Sequence, residues 1–288
     1  MSKLTPLRLG LPKGRMQPGV MKLLADAGIE IQVGSRNYRP VVSMEGIEAK
    51  LLKPQNIVEM LHAGSREIGF AGADWVAEMD VELVELFDTG LDPVRLVAAA
   101  PEETVSDGKL PEGPMVVASE YETLTRDWIE DKGLDATFVH SYGATEVFPP
   151  EDADCIVDNT ATGSTLRAND LAIVDSLMTS STRLYAHPGV MEDAGKKAII
   201  DRLLLLLESV LAARRRVMLE VNVDQENLDE VIDYVPCMRE PTISPLRGDA
   251  GFAVKAAVPR EDLTAIIPGL KRRGGTDIVV SELAQIIP

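Results

Sequence analysis

Short apolar runs alternate with amphipathic stretches along most of the chain, and this pattern predicts its elements. Leu7, Leu9 and Leu11 alternate with polar or small residues, which is typical of a strand. A helix is predicted from about residue 18 to 27, with Gly28 as its stop. The same reasoning predicts strands at 67–72, 95–100, 116–118, 136–139, 155–157, 171–174 and 183–186, and helices at 54–62, 121–132 and 197–214. This order indicates an α/β fold with a largely parallel sheet.

The first part of the chain is predicted to form two lobes. Asp92-Pro93 interrupts the pattern, and the strands at 171–174 and 183–186 return the chain towards its beginning. Lobe I is therefore expected to comprise residues 1–93 and 183–212, and lobe II residues 94–182. Because the chain crosses between the lobes twice, a ligand cleft is expected between them.

The pattern changes after about residue 212. Strands are predicted at 217–223, 242–246, 252–258 and 276–280, with helices at 228–235 and 263–270. The order βαββαβ is that of a ferredoxin-like unit, expected to span 213–288. No catalytic constellation is visible in this segment, so a regulatory or assembly role is more natural for it than catalysis.

The amino-acid composition disfavours some classes of function. The 288 residues carry a net charge of −17, which disfavours a nucleic-acid partner. Only 11 of the 29 cations are lysine, as would suit a high-salt cytoplasm. The most apolar run, Leu203–Leu207, is too short to span a membrane. Cys155 and Cys237 lack metal or redox spacing, and the N-terminus lacks an apolar leader, so a cytoplasmic protein with free thiols is expected.

One stretch, DCIVDNTATGSTLRAN from Asp154 to Asn169, carries the candidate chemistry. An apolar strand ends in Asp158, a loop of small hydroxyl residues runs from Thr160 to Thr165, and a helix start is predicted near Leu166. Four backbone N–H groups of this loop suit a phosphate, those of Thr162, Gly163, Ser164 and Thr165, and Gly163 lets the backbone come close to it. Asp158 suits ribose hydroxyls. An ordinary helix cap or turn fits the loop equally well. The motif is not a Walker loop, since no Gly-Lys-Ser/Thr follows.

Other candidate residues are less specific. Lys13 and Arg15 follow the first strand, where open α/β sheets bind anions, but alone they fit a solvated turn better. Asp74 is predicted to cap a helix. Glu146 suits either a helix cap or a ligand to hydroxyls, and spacing does not separate the two.

The chain resembles ATP phosphoribosyltransferase, the first enzyme of histidine biosynthesis, in its long form. The Asp158-to-Thr165 motif is also similar to the phosphoribosyl-pyrophosphate loop of phosphoribosyltransferases in general. The matching stretches are LRLGLPKGR, REIGFAGADWVAE, ADCIVDNTATGSTLRANDL, LLLLLESVLAARRRVMLEVNV and PCMREPTISPL. The resemblance covers essentially the whole chain.

This resemblance implies a two-lobed catalytic part of periplasmic-binding-protein-like topology and a regulatory tail. It implies transfer of phosphoribose from phosphoribosyl pyrophosphate to N1 of ATP, with Mg²⁺ accompanying the pyrophosphate and Asp154 or Asp158 as candidate protein ligands. It also implies inhibition by histidine near Asn222 and Thr242, and dimers or hexamers without a separate regulatory subunit. The expected catalytic residues are Lys13, Arg15 and Asp158, and the expected substrate-binding residues are Asp74, Glu146, Asp154, Thr160, Ala161, Thr162, Gly163, Ser164, Thr165 and Leu166.

Two positions depart from the family pattern. Asn159-Thr160 stands where the family often has Leu-Val, and Asn222 stands where some relatives carry an acid for the histidine amine. Two rival functions are a two-lobed solute-binding protein without catalysis and a phosphoribosyltransferase acting on a free base. The missing leader and the TGST loop disfavour the first, and the ferredoxin-like tail disfavours the second.

Overall fold

The computed structural model describes residues 5–34 and 38–287. The chain divides into two compact units. The first runs up to Lys22 and continues with Ile29–Ile200, and the second combines Leu23–Gly28 with the residues from Asp201 onward. The lobe and domain boundaries expected from the sequence remain predictions, and each unit is described by itself below.

The first unit contains an eight-stranded sheet with helices packed on it, and α1 and α6 both continue into the second unit. Its strands and helices are β1 (Leu7–Pro12), α1 (Met16–Asp26), β2 (Ile31–Gln32), β3 (Val41–Val42), β4 (Ile47–Leu52), α2 (Pro54–His62), β5 (Ile68–Gly72), α3 (Ala73–Glu78), β6 (Val84–Pro101), β7 (Met115–Ser119), α4 (Glu122–Lys132), β8 (Ala136–His140), β9 (Cys155–Thr160), α5 (Ser164–Ala168), β10 (Leu171–Ala186) and α6 (Ala194–Arg214). The short strands β2 and β3 pair with each other outside the main sheet.

The strand order of the main sheet is β4-β1-β5-β10-β6-β9-β7-β8. Its outer thirds are parallel, as the strand–helix alternation predicts. At the centre, β6 and β10 run antiparallel to each other and to their outer neighbours. These two long strands carry the chain between two α/β lobes. The predicted two-lobed, periplasmic-binding-protein-like arrangement is confirmed.

The expectation that Asp92-Pro93 marks a break, with a new strand starting at Arg95, is wrong. β6 continues through this dipeptide, and the predicted strands at 171–174 and 183–186 are both parts of β10. The β6–β10 register shifts between Ser180 and Thr182, opposite the dipeptide. A bulge absorbs the residues that cannot pair regularly, so proline's missing N–H does not end the strand.

Core packing in lobe II sets the direction of each β9 side chain. Cys155 and Val157 pack with Tyr121 and Trp128 on one face of the sheet. Ile156 packs with Leu166 on the other face. Because side chains alternate along a strand, Asp158 belongs to the Ile156 face and Asn159 to the Val157 face.

The second unit contains a four-stranded antiparallel sheet in the order β12-β13-β11-β14. Its elements are β11 (Arg216–Val223), α7 (Leu228–Tyr234), β12 (Thr242–Pro245), β13 (Phe252–Pro259), α8 (Leu263–Arg272) and β14 (Thr276–Glu282). One face of β11 is buried against α7 and α8, so its burial alternates along the strand. The predicted ferredoxin-like unit is confirmed. Across the described ranges, no helix has the length and apolarity needed to span a bilayer.

Candidate active site

A cleft of about 630 Å³ opens between the two lobes of the first unit. The ends of β1, β5 and β9 meet there with the middle of β6 and β10. Its lining residues are Lys13, Gly14, Arg15, Met16, Lys53, Pro54, Gln55, Gly72, Asp74, Trp75, Asp92, Val94, Glu120, Tyr142, Gly143, Asn159, Ser180, Ser181 and Thr182. The volume is that of a small-molecule site.

Lys13 and Arg15 lie together at the lobe I side of this cleft, directly after β1. The Lys13 N–H donates to the Leu52 carbonyl at 2.8 Å, and its Nζ lies 3.5 Å from the centre of the Tyr38 ring. Gly14 has a φ of +77°, so the turn between the two cations needs glycine's freedom. The structure therefore places both predicted cations at a cleft and not on an isolated surface turn.

Asp158 lies on lobe II among other charged groups. Burial raises its pKa from an ordinary value of 3.8 to about 6, and the carboxylates of Glu146 and Glu120 add to the rise. The Arg15 guanidinium and a hydrogen bond from the Asn159 N–H, 2.7 Å long, act in the opposite direction. The charges of Glu146 and Glu120 therefore act against that of Asp158, and a bound cation or hydroxyl donors would relieve this repulsion.

The Thr160–Leu166 loop follows Asp158, although it is not part of the cleft lining. Gly163 adopts a φ of +73° and precedes α5, so its conformation suits glycine. The Gly163 N–H donates to Thr160 Oγ1 at 2.9 Å, and the Ser164 N–H donates to Thr162 Oγ1 at 3.4 Å.

These bonds revise the prediction that four N–H groups of this loop are available to a phosphate. Those of Thr162 and Thr165 make no hydrogen bond to another described residue. The Ala161, Thr162, Ser164 and Thr165 side chains are exposed, while Leu166 is only 4% exposed because it packs in the lobe II core.

Asp74 is not a helix cap, contrary to the prediction. It is the second residue of α3, and the cap position belongs to Gly72 without a side-chain bond. Its buried carboxylate accepts from Tyr121 Oη and from Ser180 Oγ, each at 2.7 Å. Tyr121 Oη in turn accepts from Asn159 Nδ2 at 3.0 Å. This chain of hydrogen bonds joins α3 of lobe I to β9 of lobe II beneath the cleft.

Residues 53–209 match the family described as ATP phosphoribosyltransferase, and residues 213–285 match its C-terminal domain. The chain belongs to the ATP phosphoribosyltransferase family. Enzymes of that name from Chlorobaculum parvum and Pelotomaculum thermopropionicum are 35% and 36% identical to it. Each alignment covers 98% of this chain, with 97% and 99% of the respective relative. The C-terminal domain makes it a long-form member.

A solved structure also resembles it. The ATP phosphoribosyl transferase (HisG:HisZ) complex from Thermotoga maritima superposes with a TM-score of 0.62 at 27% identity. The alignment covers 70% of this chain and 98% of that chain.

Several residues at the cleft of this ATP phosphoribosyltransferase family member were not predicted from the sequence. Trp75 stacks on Tyr121 with 4.6 Å between ring centroids, and Ser180 holds Asp74 from the middle of β10. Residues 74 and 180 are 106 positions apart, so no local pattern connects them. One position in the sequence hinted at this polar network. Asn159, directly after Asp158, stands where the family often has an apolar residue.

Two other predicted residues occupy different positions. Glu146 lies in a short 3₁₀ turn close enough to Asp158 to affect its pKa. Asp154 precedes β9 at the end opposite the loop, and its Oδ2 accepts from the Val116 N–H at 2.7 Å. Asp154 lies six positions before the first loop residue, Thr160, or roughly 20 Å along the strand. The structure does not bring Asp154 to the other candidates.

Asn222 and Thr242 share the open face of the second unit's sheet. Asn222 Nδ2 donates to Asp277 Oδ2 at 3.1 Å. Thr242 lies on edge strand β12 opposite Lys255, which in turn pairs with Glu220 on β11. Two strand spacings separate β12 from β11, or roughly 10 Å.

Proposed function

We propose that this protein transfers the phosphoribosyl group of phosphoribosyl pyrophosphate to N1 of ATP, releasing pyrophosphate, in the first step of histidine biosynthesis. The observation that carries this proposal is the pairing of two cations with a carboxylate and a hydroxyl loop on the two lobes. Lys13 and Arg15 belong to lobe I, and Asp158 begins the lobe II motif. Phosphoribosyl pyrophosphate carries phosphate groups at both ends of its sugar. It therefore needs cations and hydrogen-bond donors for the phosphates and a carboxylate for the sugar hydroxyls.

The 5-phosphate is assigned to the Thr160–Leu166 loop. The N–H groups of Thr162 and Thr165 have no protein partner among the described residues. The exposed hydroxyls of Ser164 and Thr165 add donors, whereas the Thr162 hydroxyl donates to Ser164 Oγ at 3.0 Å. The two occupied N–H groups stabilise the turn itself. Fewer backbone donors than expected therefore contact the phosphate, and hydroxyls supply the rest.

Asp158 is assigned to the ribose hydroxyls. Its carboxylate is partly buried and its pKa is raised to about 6, so its negative charge gains strongly from bound donors. Glu146, whose charge contributes to the raised pKa of Asp158, is assigned to the same hydroxyls.

Lys13 and Arg15 are assigned to the pyrophosphate. As the bond from C1 of the ribose to pyrophosphate breaks, negative charge develops on the leaving group. Charge-assisted bonds from these cations strengthen during that step and therefore lower the barrier. Adenine N1 already carries a lone pair, so positioning is sufficient and no strong base is required.

Mg²⁺ fits the surroundings of Asp158. Its carboxylate supplies hard oxygen atoms, and the repulsion that it feels from Glu146 and Glu120 is of the kind that a cation relieves. No group of three metal-ligating side chains occurs among the described residues, which suits an ion bound mainly through substrate phosphates. When bound, Mg²⁺ would neutralise pyrophosphate charge. Asp158 is the candidate protein ligand, whereas Asp154 lies at the wrong end of β9.

The test is to mix the protein with phosphoribosyl pyrophosphate, Mg²⁺ and ATP. N1-substituted product and pyrophosphate should appear together in equal amounts. A solute-binding protein would bind ligand without releasing pyrophosphate. An enzyme for a free base would release pyrophosphate only when ATP is replaced by that base. Either result would contradict the proposal.

The second unit is assigned to inhibition by histidine. Asn222 replaces the acid of some relatives, but the Asp277 carboxylate lies 3.1 Å from its amide nitrogen. Asp277 thus supplies the full negative charge for an α-amino group that Asn222 lacks. Asp277→Asn should raise the histidine concentration needed for half-inhibition while leaving uninhibited turnover unchanged. Asp262→Asn, at another exposed position of this unit, is the matched control; equal inhibition of parent and Asp277→Asn would remove Asp277 from the site.

Inhibition requires that histidine prefer one arrangement of the protein over another. A homo-oligomer, dimer or hexamer, is the expected setting, and sedimentation with and without histidine tests it. Free Cys155 and Cys237 are consistent with a cytoplasmic location for this biosynthetic enzyme.

A further inference from the structure

A second, basic pocket lies in lobe I, away from the catalytic cleft. It has a volume of about 410 Å³ and is lined by Arg39, Pro40, Val41, Val42, Ile47, Glu48, Ala49, Lys50 and Arg66. Three of its four charged residues are cations, in a chain whose net charge is −17. Such a concentration of positive charge against the overall balance points to an anionic ligand.

The fold brings these cations to one face of the sheet edge. β4 buries Ile47, Ala49 and Leu51, so Glu48 and Lys50 point to the opposite face. Arg66 precedes β5 on the same lobe. Since β5 starts level with Leu9 of β1, Arg66 lies roughly 20 Å from Lys13 along the strand direction. The two basic sites are therefore separate.

The carboxylates of Glu48 and Glu67 act on Arg66, but their effect is smaller than that of burial and of the neighbouring cations. Glu67 accepts from Arg8 and forms an ion pair with Lys196, so its charge is already shared between two cations. Burial and the guanidinium groups of Arg8 and Arg39 lower the pKa of Arg66. An anion in the pocket would relieve this repulsion.

Donor groups in the pocket remain available to a ligand. The one hydrogen bond found for the Arg66 side chain runs from Nε to the Ser65 carbonyl at 2.9 Å, which leaves its two terminal nitrogens. Lys50 Nζ forms no hydrogen bond or ion pair with another described residue. A forked guanidinium beside an ammonium group matches phosphate oxygens well.

We propose that the basic pocket binds a phosphoanion, with its phosphate groups held by Arg66 and Lys50. Arg39 lies at the same pocket and adds positive charge. Pro40 and Val41 give the pocket an apolar wall, and Val41 is 66% exposed. The ligand class is therefore a small phosphorylated molecule with a less polar part. Inorganic pyrophosphate presents its charged portion alone and serves as the probe.

Calorimetric titration of the full-length protein with inorganic pyrophosphate tests this proposal. The parent should show two classes of site per chain, one in the cleft and one in the basic pocket. Arg66→Gln should weaken the second class by about tenfold or more, because it removes charge-assisted bonds. Arg15→Gln should weaken only the first class. Affinity for both should fall as KCl rises.

Glu48→Gln provides an independent arm, because it removes the single carboxylate among the residues lining this pocket. It should tighten the second class of site, and no misfolded variant would do so. Lys109→Gln, which removes an exposed lobe II cation, is the matched charge control and should change neither class. Unchanged binding in both Arg66→Gln and Glu48→Gln would overturn the proposal.

Two further outcomes count against the pocket. Loss of all pyrophosphate binding in Arg15→Gln would mean that the cleft alone binds the probe. A second class that disappears as protein concentration rises would mean that acidic groups of a second copy fill the pocket. If only the second class is found in the parent, the cleft assignment fails while the basic pocket stands.

Discussion

Replacing Asp158 by asparagine should stabilise the unliganded protein while impairing its reaction. In the folded chain, burial and two nearby carboxylates raise the pKa of Asp158 to about 6, against an ordinary value of 3.8. The ionised form is therefore disfavoured in the folded state. Asparagine removes the charge but keeps an oxygen that can accept from the Asn159 N–H.

The magnitude follows from the pKa difference. Each pKa unit corresponds to about 1.4 kcal/mol, so two units give an upper bound of about 3 kcal/mol at neutral pH. Relaxation and water near a partly buried group reduce this, and a gain of about 1–3 kcal/mol is expected. Buried charges at functional sites are a common source of such trade-offs between stability and activity.

The pH dependence has a definite sign. Between pH 3.8 and 6 the folded state holds a proton on Asp158 that the unfolded state has lost, so rising pH destabilises the parent. The advantage of Asp158→Asn should be largest above pH 6 and shrink by about 1 kcal/mol between pH 8 and 5. Urea unfolding followed by fluorescence of Trp75 and Trp128, both in the first unit, measures it.

Asp175→Asn is the matched control. Hydrogen bonds from Lys132 and Trp128 lower the pKa of Asp175, so this change should destabilise the protein, and less so as pH falls. Product formation by Asp158→Asn should fall because ribose contacts weaken. A variant with the parent's stability at pH 8, or with full activity, would refute the account of Asp158.

Four shorter predictions follow. Tyr121→Phe leaves a buried carboxylate oxygen of Asp74 without a donor and should cost about 1–3 kcal/mol in urea unfolding; undiminished stability would contradict the hydrogen-bond chain. Arg15→Ala should lower kcat more than ATP affinity, and parent-like kinetics would make Arg15 a surface cation. Thr165→Val should raise the KM for phosphoribosyl pyrophosphate several-fold in steady-state kinetics, whereas Thr104→Val, remote from the loop, should not. KCl should raise the melting temperature, since it screens a net charge of −17; a lower Tm in salt would refute this.

The sequence was sufficient for features that depend on neighbouring residues. Periodic apolar positions predicted α2 at Pro54–His62 as it stands in the structure, and the βαββαβ order of the second unit. These predictions succeed because burial of one face of an element imposes its period on the local sequence. The spacing around Asp158 indicated a phosphosugar site, which stays a prediction.

Tertiary structure decided what depends on distant pairing. Asp92-Pro93 reads locally as a break, but pairing with β10 through a bulge keeps β6 continuous. Asp74 resembles a helix cap in the sequence. Its carboxylate instead accepts hydrogen bonds from a tyrosine 47 residues away and a serine 106 residues away. The raised pKa of Asp158 arises in the same way, first from burial and then from carboxylates that only folding brings near it. Sequence periodicity records which face of an element is buried, whereas the register of the β6–β10 pair determines which distant residues meet there.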